Sequence, residues 1–327
     1  ADGSIAAIGT PLQSLGINDF AGEVYVFQRT STGWRRVASL RSPEPSFEDF
    51  FGTSVDISLD ARTIKVSSLN PINDEGRPDG RTHIFTRSGA TWAHQATLEP
   101  FYAGDFCPNV RMSRDGATLV GNCAGGAGAR MVTLKRSGSS WVHAGDLRMT
   151  TFTDDQTLAL NVDATAMALH EGSGVEAWVS VYRWEDSTWV REARLVPPAD
   201  DIDATPFGAG LALSADGTRL AVTDFLSSIE GAGVMPGPAP DFVPATLIHG
   251  AVYFYERNGP SINPWKLKSL VKAPRPGEGD RFGLSVALSG SGRTLAVGAR
   301  AEDSNARGID GDQTNESATD SGAAYLY

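Results

Sequence analysis

The residues here that could do chemistry are oxygen ligands, not nucleophiles. A long loop near the C-terminus carries Glu302, Asp303, Asp310, Asp312, Asn315, Glu316 and Asp320. Within it, Asp310-Gly311-Asp312 followed by Asn315 and Glu316 offers the run of oxygens that a hard cation such as Ca²⁺ takes. Asp310, Asp312, Asn315, Glu316 and Asp320 are therefore the candidate metal ligands, with calcium the candidate ion. The competing reading is a solvated acidic loop, and the spacing departs from that of an EF-hand. A sparser version holds Asn73, Asp74, Glu75 and Asp79. An aspartate shortly before an apolar run recurs at Asp19, Asp79 and Asp320, as a turn cap would. The histidines (His83, His94, His143, His170 and His249) are scattered, and no metal-type His/Cys spacing, nucleophile elbow or phosphate loop occurs. No residue is assigned to catalysis or to an organic cofactor.

The only two cysteines, Cys107 and Cys123, bracket a hairpin whose turn is Arg114-Asp115-Gly116. If the strands fold about Asp115, the two are equidistant from the turn and face each other, close enough for a disulfide. A register one residue off leaves two buried free thiols instead. A disulfide points to an oxidising compartment.

The elements that must position these residues are one unit repeated. Run A opens on Phe51-Gly52, Phe207-Gly208 and Phe282-Gly283, with weaker copies from Phe106 and around Leu158. A tight turn follows, Ser-Arg-Asp-Gly at 113–116, Ser-Ala-Asp-Gly at 214–217 and Ser-Gly-Ser-Gly at 289–292, where glycine supplies the positive φ. Run B follows at 63–68, 118–123, 166–170, 219–223 and 294–299, and run C at 23–27, 82–85, 130–134, 178–182, 251–255 and 323–327. Several copies of C are apolar on both faces, as Val24 and Val26 against Tyr25 and Phe27, so this strand expects burial on both sides. Run D carries a Trp followed six residues later by Leu: Trp34 and Leu40, Trp92 and Leu98, Trp141 and Leu147, Trp189 and Leu195. Near Trp265 the spacing slips, with Leu270 and Val271 competing for that place. Arg36, His94, His143 and Arg191 each stand two places after the Trp, as one outward-facing position.

A repeat of about 50 residues holding four short strands is a β-propeller blade, because one small sheet cannot cover its own apolar faces while sheets stacked radially cover each other. The expectation is an all-β propeller of four-stranded blades, a single domain over 1–327 with repeats near 1–44, 45–100, 101–150, 151–199, 200–276 and 277–327. The first copy lacks A and the last lacks D, so six blades need one flanking strand at each end and seven need a further blade. Residues 224–249, rich in Pro and Gly, are inserted between B and C, with Phe225, Ile229, Met235, Phe242 and Leu247 placed to cover a propeller face, meet a partner, or pack on their own blade.

A net charge of −11 argues against non-specific nucleic-acid binding, which needs a cationic surface. No apolar stretch of about 18 residues or more suggests membrane insertion, and residues 1–25 lack the pattern of a signal peptide.

Phe282-Gly283, the Leu-Ala-Val-Gly-Ala run at 295–299 and the Gly-Ala-Ala-Tyr run at 322–325 resemble the FG-GAP repeat of integrin α-subunit propellers, and more closely the integrin-like repeats of bacterial secreted or surface proteins. The resemblance is clear at 45–100, 201–257 and 280–327 and degenerate at 101–198. It implies an extracellular or cell-surface protein acting in adhesion, in protein or glycan binding at face loops, or as a scaffold in a surface assembly. The calcium that such repeats often carry between A and B finds too few carboxylates here, since those turns read Asp60-Ala61-Arg62, Ser-Arg-Asp-Gly or Ser-Gly-Ser-Gly. The expected function is non-enzymatic. The alternative is a carbohydrate-active enzyme, a polysaccharide lyase or glycosidase, with its site on the propeller axis.

Overall fold

The computed structural model describes residues 3–16, 18–70, 79–99, 106–125, 128–150, 157–172, 176–197, 206–237, 248–259 and 263–327. The chain forms six small antiparallel sheets in succession, the blades of a six-bladed β-propeller. Blade one holds β1 (Ile5–Thr10), β2 (Glu23–Thr30) and β3 (Gly33–Leu40). Blade two holds β4 (Ser54–Ile57), β5 (Thr63–Asn70), β6 (Asp79–Ser88) and β7 (Thr91–Leu98). Blade three holds β8 (Phe106–Met112), β9 (Thr118–Ala124), β10 (Arg130–Ser137) and β11 (Ser140–Arg148). Blade four holds β12 (Leu158–Leu160), β13 (Ala166–Glu171), β14 (Trp178–Glu185) and β15 (Thr188–Leu195). Blade five holds β16 (Leu211–Leu213), β17 (Arg219–Asp224), β18 (Val234–Pro236), β19 (Ala251–Arg257) and β20 (Trp265–Val271). Blade six holds β21 (Phe282–Leu288), β22 (Leu295–Ala299) and β23 (Ala323–Leu326). The terminal blades have three strands each, one without A and one without D. Among the described residues no helix is long and apolar enough to cross a membrane.

Burial follows the patterning. Along β21 exposed Ser285 and Ala287 alternate with half-buried Leu284 and Val286, the period of two that a strand imposes. On the C strand β2, Val24 and Val26 are wholly buried while Tyr25 and Phe27 are half-buried on the other face. The D strands form the rim, where Arg36, His94, His143 and Arg191 are all exposed. In four blades the D-strand Trp lies opposite an arginine of the C strand: Trp34 and Arg29, Trp92 and Arg87, Trp141 and Arg136, Trp265 and Arg257. The slip at blade five is resolved by pairing, because Val271 faces Val252 as Leu40 faces Val24.

The inserted segment adds a fifth strand at the rim. β18 pairs with β20, setting Met235 opposite Leu270, and Ile229 is fully buried. Its described part therefore packs on its own blade, whereas Phe242 and Leu247 lie outside the described residues.

The chain clusters into two compact units, Ala1–Asp154 with Asp186–Trp189, and Asp155–Glu185 with Val190–Tyr327. Inside each, the FG and GAP sequences meet at the joints between blades. In the first unit, Gly22 forms a parallel bridge with Phe51, whose N–H donates to Ala21 O (3.1 Å). Gly22 has φ 81°, and a Cβ there would lie 2.1 Å from Phe51 O. In the second unit, Gly250 (φ 77°) stands equally close to Phe282 O. Only glycine lets the two backbones approach this far. The phenylalanine just beyond each joint is fully buried and meets a ring of its own C strand, Phe51 tilted against His83 at 5.2 Å, and Phe207 with Tyr253 at 5.4 Å and Phe282 with Tyr325 at 5.5 Å edge-on.

The disulfide Cys107–Cys123 is present, although near the turn the hairpin register departs from folding about Asp115. Near the turn Met112 faces Leu119, one residue away from that register, and a bulge between Phe106 and Asn109 restores it, so that Phe106 faces Ala124. The same bulge moves the blade-three copy of run A. Cys107, not Phe106, takes the place of the FG phenylalanine, and Gly80 abuts Cys107 as Gly22 abuts Phe51.

Candidate functional site

The A–B turns, where a calcium-binding repeat would present carboxylates, are closed on themselves. Ser58, Ser113 and Ser214 donate their hydroxyls to Asp60, Asp115 and Asp216 at 2.5–2.6 Å. Each serine oxygen accepts the N–H five residues on, from Thr63, Thr118 and Arg219, at 2.9 Å. Asn161 with Asp163 builds the same turn in blade four. These hydrogen bonds hold Asp60, Asp163 and Asp216 below the usual aspartate range, against a desolvation that pushes the other way. Neighbouring turns are tied through Leu59 N–H to Arg114 O (2.6 Å) and Ala215 N–H to Gly290 O (2.8 Å). At this end side chains close each turn and backbone hydrogen bonds tie one turn to the next.

The acidic C-terminal loop is likewise occupied by local turns. Asp312 accepts the N–H of Thr314 and Asn315 that of Ser317, both at 2.9 Å. The Asp320 N–H donates to Asp303 (2.8 Å), with Asp310 and Asp320 at left-handed φ of 57° and 54°. Among the described residues no three His, Cys, Asp or Glu side chains are gathered as a metal ion would need, so Asp310, Asp312, Glu316 and Asp320 do not converge, nor does Asn315 join them to such a group. Deeper in the same blade, burial raises Asp280, and Glu302, Glu316 and Asp303 add to the rise. Asn73, Asp74 and Glu75 lie outside the described residues.

Three buried polar groups are structural in geometry. Lys65 is fully buried, with its ammonium 3.6 Å from Asp56 and 3.0 Å from Ser54 Oγ, and burial pulls it down to about 8. Asp56 also receives Arg111 (3.2 Å) and the Met112 N–H (3.0 Å). His83, held between Ser68 and Thr97 at 3.1 Å each, is pulled down to about 3 by burial. Glu171 accepts from Trp178 Nε1 (3.0 Å), Tyr182 Oη (3.2 Å) and Ser180 Oγ.

An exposed apolar patch escaped the sequence reading. Leu12, Phe20 and Phe47 are 67, 39 and 58% exposed, on two loops zipped together by Asn18 Nδ2 to Pro45 O, Glu48 N–H to Asp19 O and Phe50 N–H to Phe20 O, each 2.9 Å. Phe20 stacks on Phe50 at 6.1 Å, and both hold left-handed φ, 56° and 48°. A bulky residue is strained there, and blade six carries charged Asp320 and Arg281 at the matching turns. The available signal was a run of three phenylalanines in Phe47-Glu48-Asp49-Phe50-Phe51, in a stretch free of Lys and Arg. Beneath it Asp49 is buried, and that desolvation lifts it to about 6.

The FG-GAP repeat model matches residues 265–327, the last D strand of blade five and all of blade six. The chain is a β-propeller whose residues 265–327 match the FG-GAP repeat. No curated protein matches it. Among solved structures, the propeller is similar to a putative 6-phosphogluconolactonase of Bacteroides uniformis, at 13% identity over 100% of this chain and 86% of that one, with a TM-score of 0.55. It is also similar to Sqt1 of Chaetomium thermophilum, at 15% identity over 90% and 63%, TM-score 0.51, and to a Lactobacillus plantarum protein, at 14% over 78% and 66%, TM-score 0.48. The FG-GAP-like propeller thus spans about two thirds of the length of the last two. At such identities the likeness is one of fold.

Proposed function

We propose that this FG-GAP-like propeller is a non-enzymatic binding module, extracellular or at the cell surface, that takes a protein or glycan ligand at its face loops in adhesion or in a surface assembly. The observation that carries the reading is the patch of Leu12, Phe20 and Phe47. Phe20 is held exposed in strained backbone, a cost that packing alone does not return, and exposed apolar patches mark interaction sites. The disulfide supports an oxidising compartment.

The test is a glycan and peptide array probed with the intact chain and with Phe20→Asn/Phe47→Ser. Asparagine tolerates left-handed φ, so the variant is expected to melt no lower than the parent while losing roughly tenfold or more in ligand signal, about 1.4 kcal/mol. Turnover of a polysaccharide with a blank array would reverse the reading.

A further inference from the structure

Between blades two and three lies a cleft lined by Leu98, Cys107, Gly121, Val132 and Leu134, with Glu99 at its mouth. Strand register shows what fills this place elsewhere. Val132 faces Gly121 as Tyr325 faces Val297, Tyr253 faces Val222 and His83 faces Val66. Leu134 faces Leu119 as Phe85 faces Ile64 and Tyr255 faces Leu220. Cys107, bonded across to Cys123, takes the position of Phe282 opposite Ala299.

Blade six fills the slot with three rings, Phe282 against Tyr325 at 5.5 Å and Tyr327 at 6.2 Å. Blade two fills it with Phe51, His83 and Phe85. Blade three has cysteine, valine and leucine instead, and Gly121 where blade six has Val297. Side chains shrink at four positions of one core, and what remains is a cavity of ≈ 40 Å³, where a single water needs about 10–15 Å³.

We propose that this cleft binds one aromatic ring bearing a hydrogen-bond donor: a phenol, either free or as a tyrosine side chain. A cavity enclosing a whole benzene measures about 150 Å³, so the ring enters edge-first and leaves its hydroxyl at the mouth. There the half-exposed Glu99 carboxylate, 3.2 Å from Arg81 Nε, accepts a hydrogen bond from that hydroxyl. The apolar walls offer the edge contacts that the fold makes to its own phenylalanines. The site is separate from the Phe20/Phe47 patch and does not depend on it.

Ligand-observed NMR with phenol and with N-acetyl-tyrosinamide, using N-acetyl-alaninamide as control, tests the assignment on the intact chain. Both aromatic probes are expected to saturate with Kd on the order of 1 mM, consistent with one partly enclosed ring. Val132→Tyr supplies the ring from within, as Tyr325 does, and is expected to weaken both probes at least about tenfold with an unchanged or higher Tm. Leu134→Phe does the same should the first variant fold poorly. Binding by phenol alone assigns a free small molecule, and equal binding by tyrosinamide assigns a polypeptide. Failure of both probes on the parent, or undiminished binding to a folded Val132→Tyr or Leu134→Phe, overturns the site.

Discussion

Gly22→Ala and Gly250→Ala should each cost about 2–5 kcal/mol, a large loss for one methyl group. Two effects add. Left-handed φ costs an L-residue about 1–2 kcal/mol, and the new Cβ would lie 2.1 Å from the carbonyl oxygen of Phe51 or Phe282. That oxygen belongs to backbone, so the two blades must part at the joint instead of one side chain giving way. Gly138→Ala isolates the first effect: its φ is 64°, with nothing within 4 Å of the added atom, so about 1 kcal/mol is expected. Chemical denaturation of the three variants measures the difference. If Gly22→Ala and Gly250→Ala lose no more than Gly138→Ala, the joints are not held by this approach of backbones.

Asp56→Asn is the second large effect, with about 3–5 kcal/mol lost near neutral pH, the cost of leaving a buried charge unpartnered. Lys65 is fully buried, and Asp56 is the group that favours its charged form, against desolvation and Arg111. Asparagine keeps an acceptor for the Met112 N–H, so the loss reports the charge. The pH dependence has a definite sign. Lys65 lies below its unfolded value, so the folded state binds fewer protons and gains stability as pH rises through the folded pKa toward about 10.4. Without Asp56 that folded pKa falls further, and the deficit of the variant narrows as pH climbs toward about 8, where the parent lysine begins to release its proton. Adding Lys65→Met should restore most of the stability. A double variant as unstable as Asp56→Asn alone would place the loss elsewhere, for example at the exposed Arg111.

What could be read from the sequence was whatever repeats in place. The FG phenylalanines, the Ser-x-Asp-Gly turns and the D-strand tryptophans each recur because every blade poses the same burial problem. Their period therefore yielded the blade architecture and strand order, including the three-stranded ends, while leaving six blades or seven for the structure to decide. Exceptions to the repeat were harder. The bulge that puts Cys107 in the phenylalanine slot inserts no recognisable residue, so Phe106 looked like the match. β18 is three residues long and owes its pairing to β20, not to local propensity. The Phe20/Phe50 stack joins two repeats, and nothing local in either announces the other. Lys65 was visible as a charge in the middle of an apolar B run, but its partner Asp56 lies on a different strand. The acidic loop is ambiguous for a plainer reason, because carboxylates that cap turns and carboxylates that hold ions share a composition and differ only in where they point.

Native-state hydrogen exchange at the blade joints tests most directly whether the sheets stand by being clamped to one another. The amides of Phe51, Leu59, Ala215 and Gly279 each donate across a joint, to Ala21, Arg114, Gly290 and Ile248. Clamped blades require these four to exchange only on the opening that frees strand-centre amides such as Val66 and Val222, with the same free energy and the same dependence on denaturant. Joint amides that exchange far faster, while Val66 and Val222 stay protected, would show blades that fold singly and merely touch.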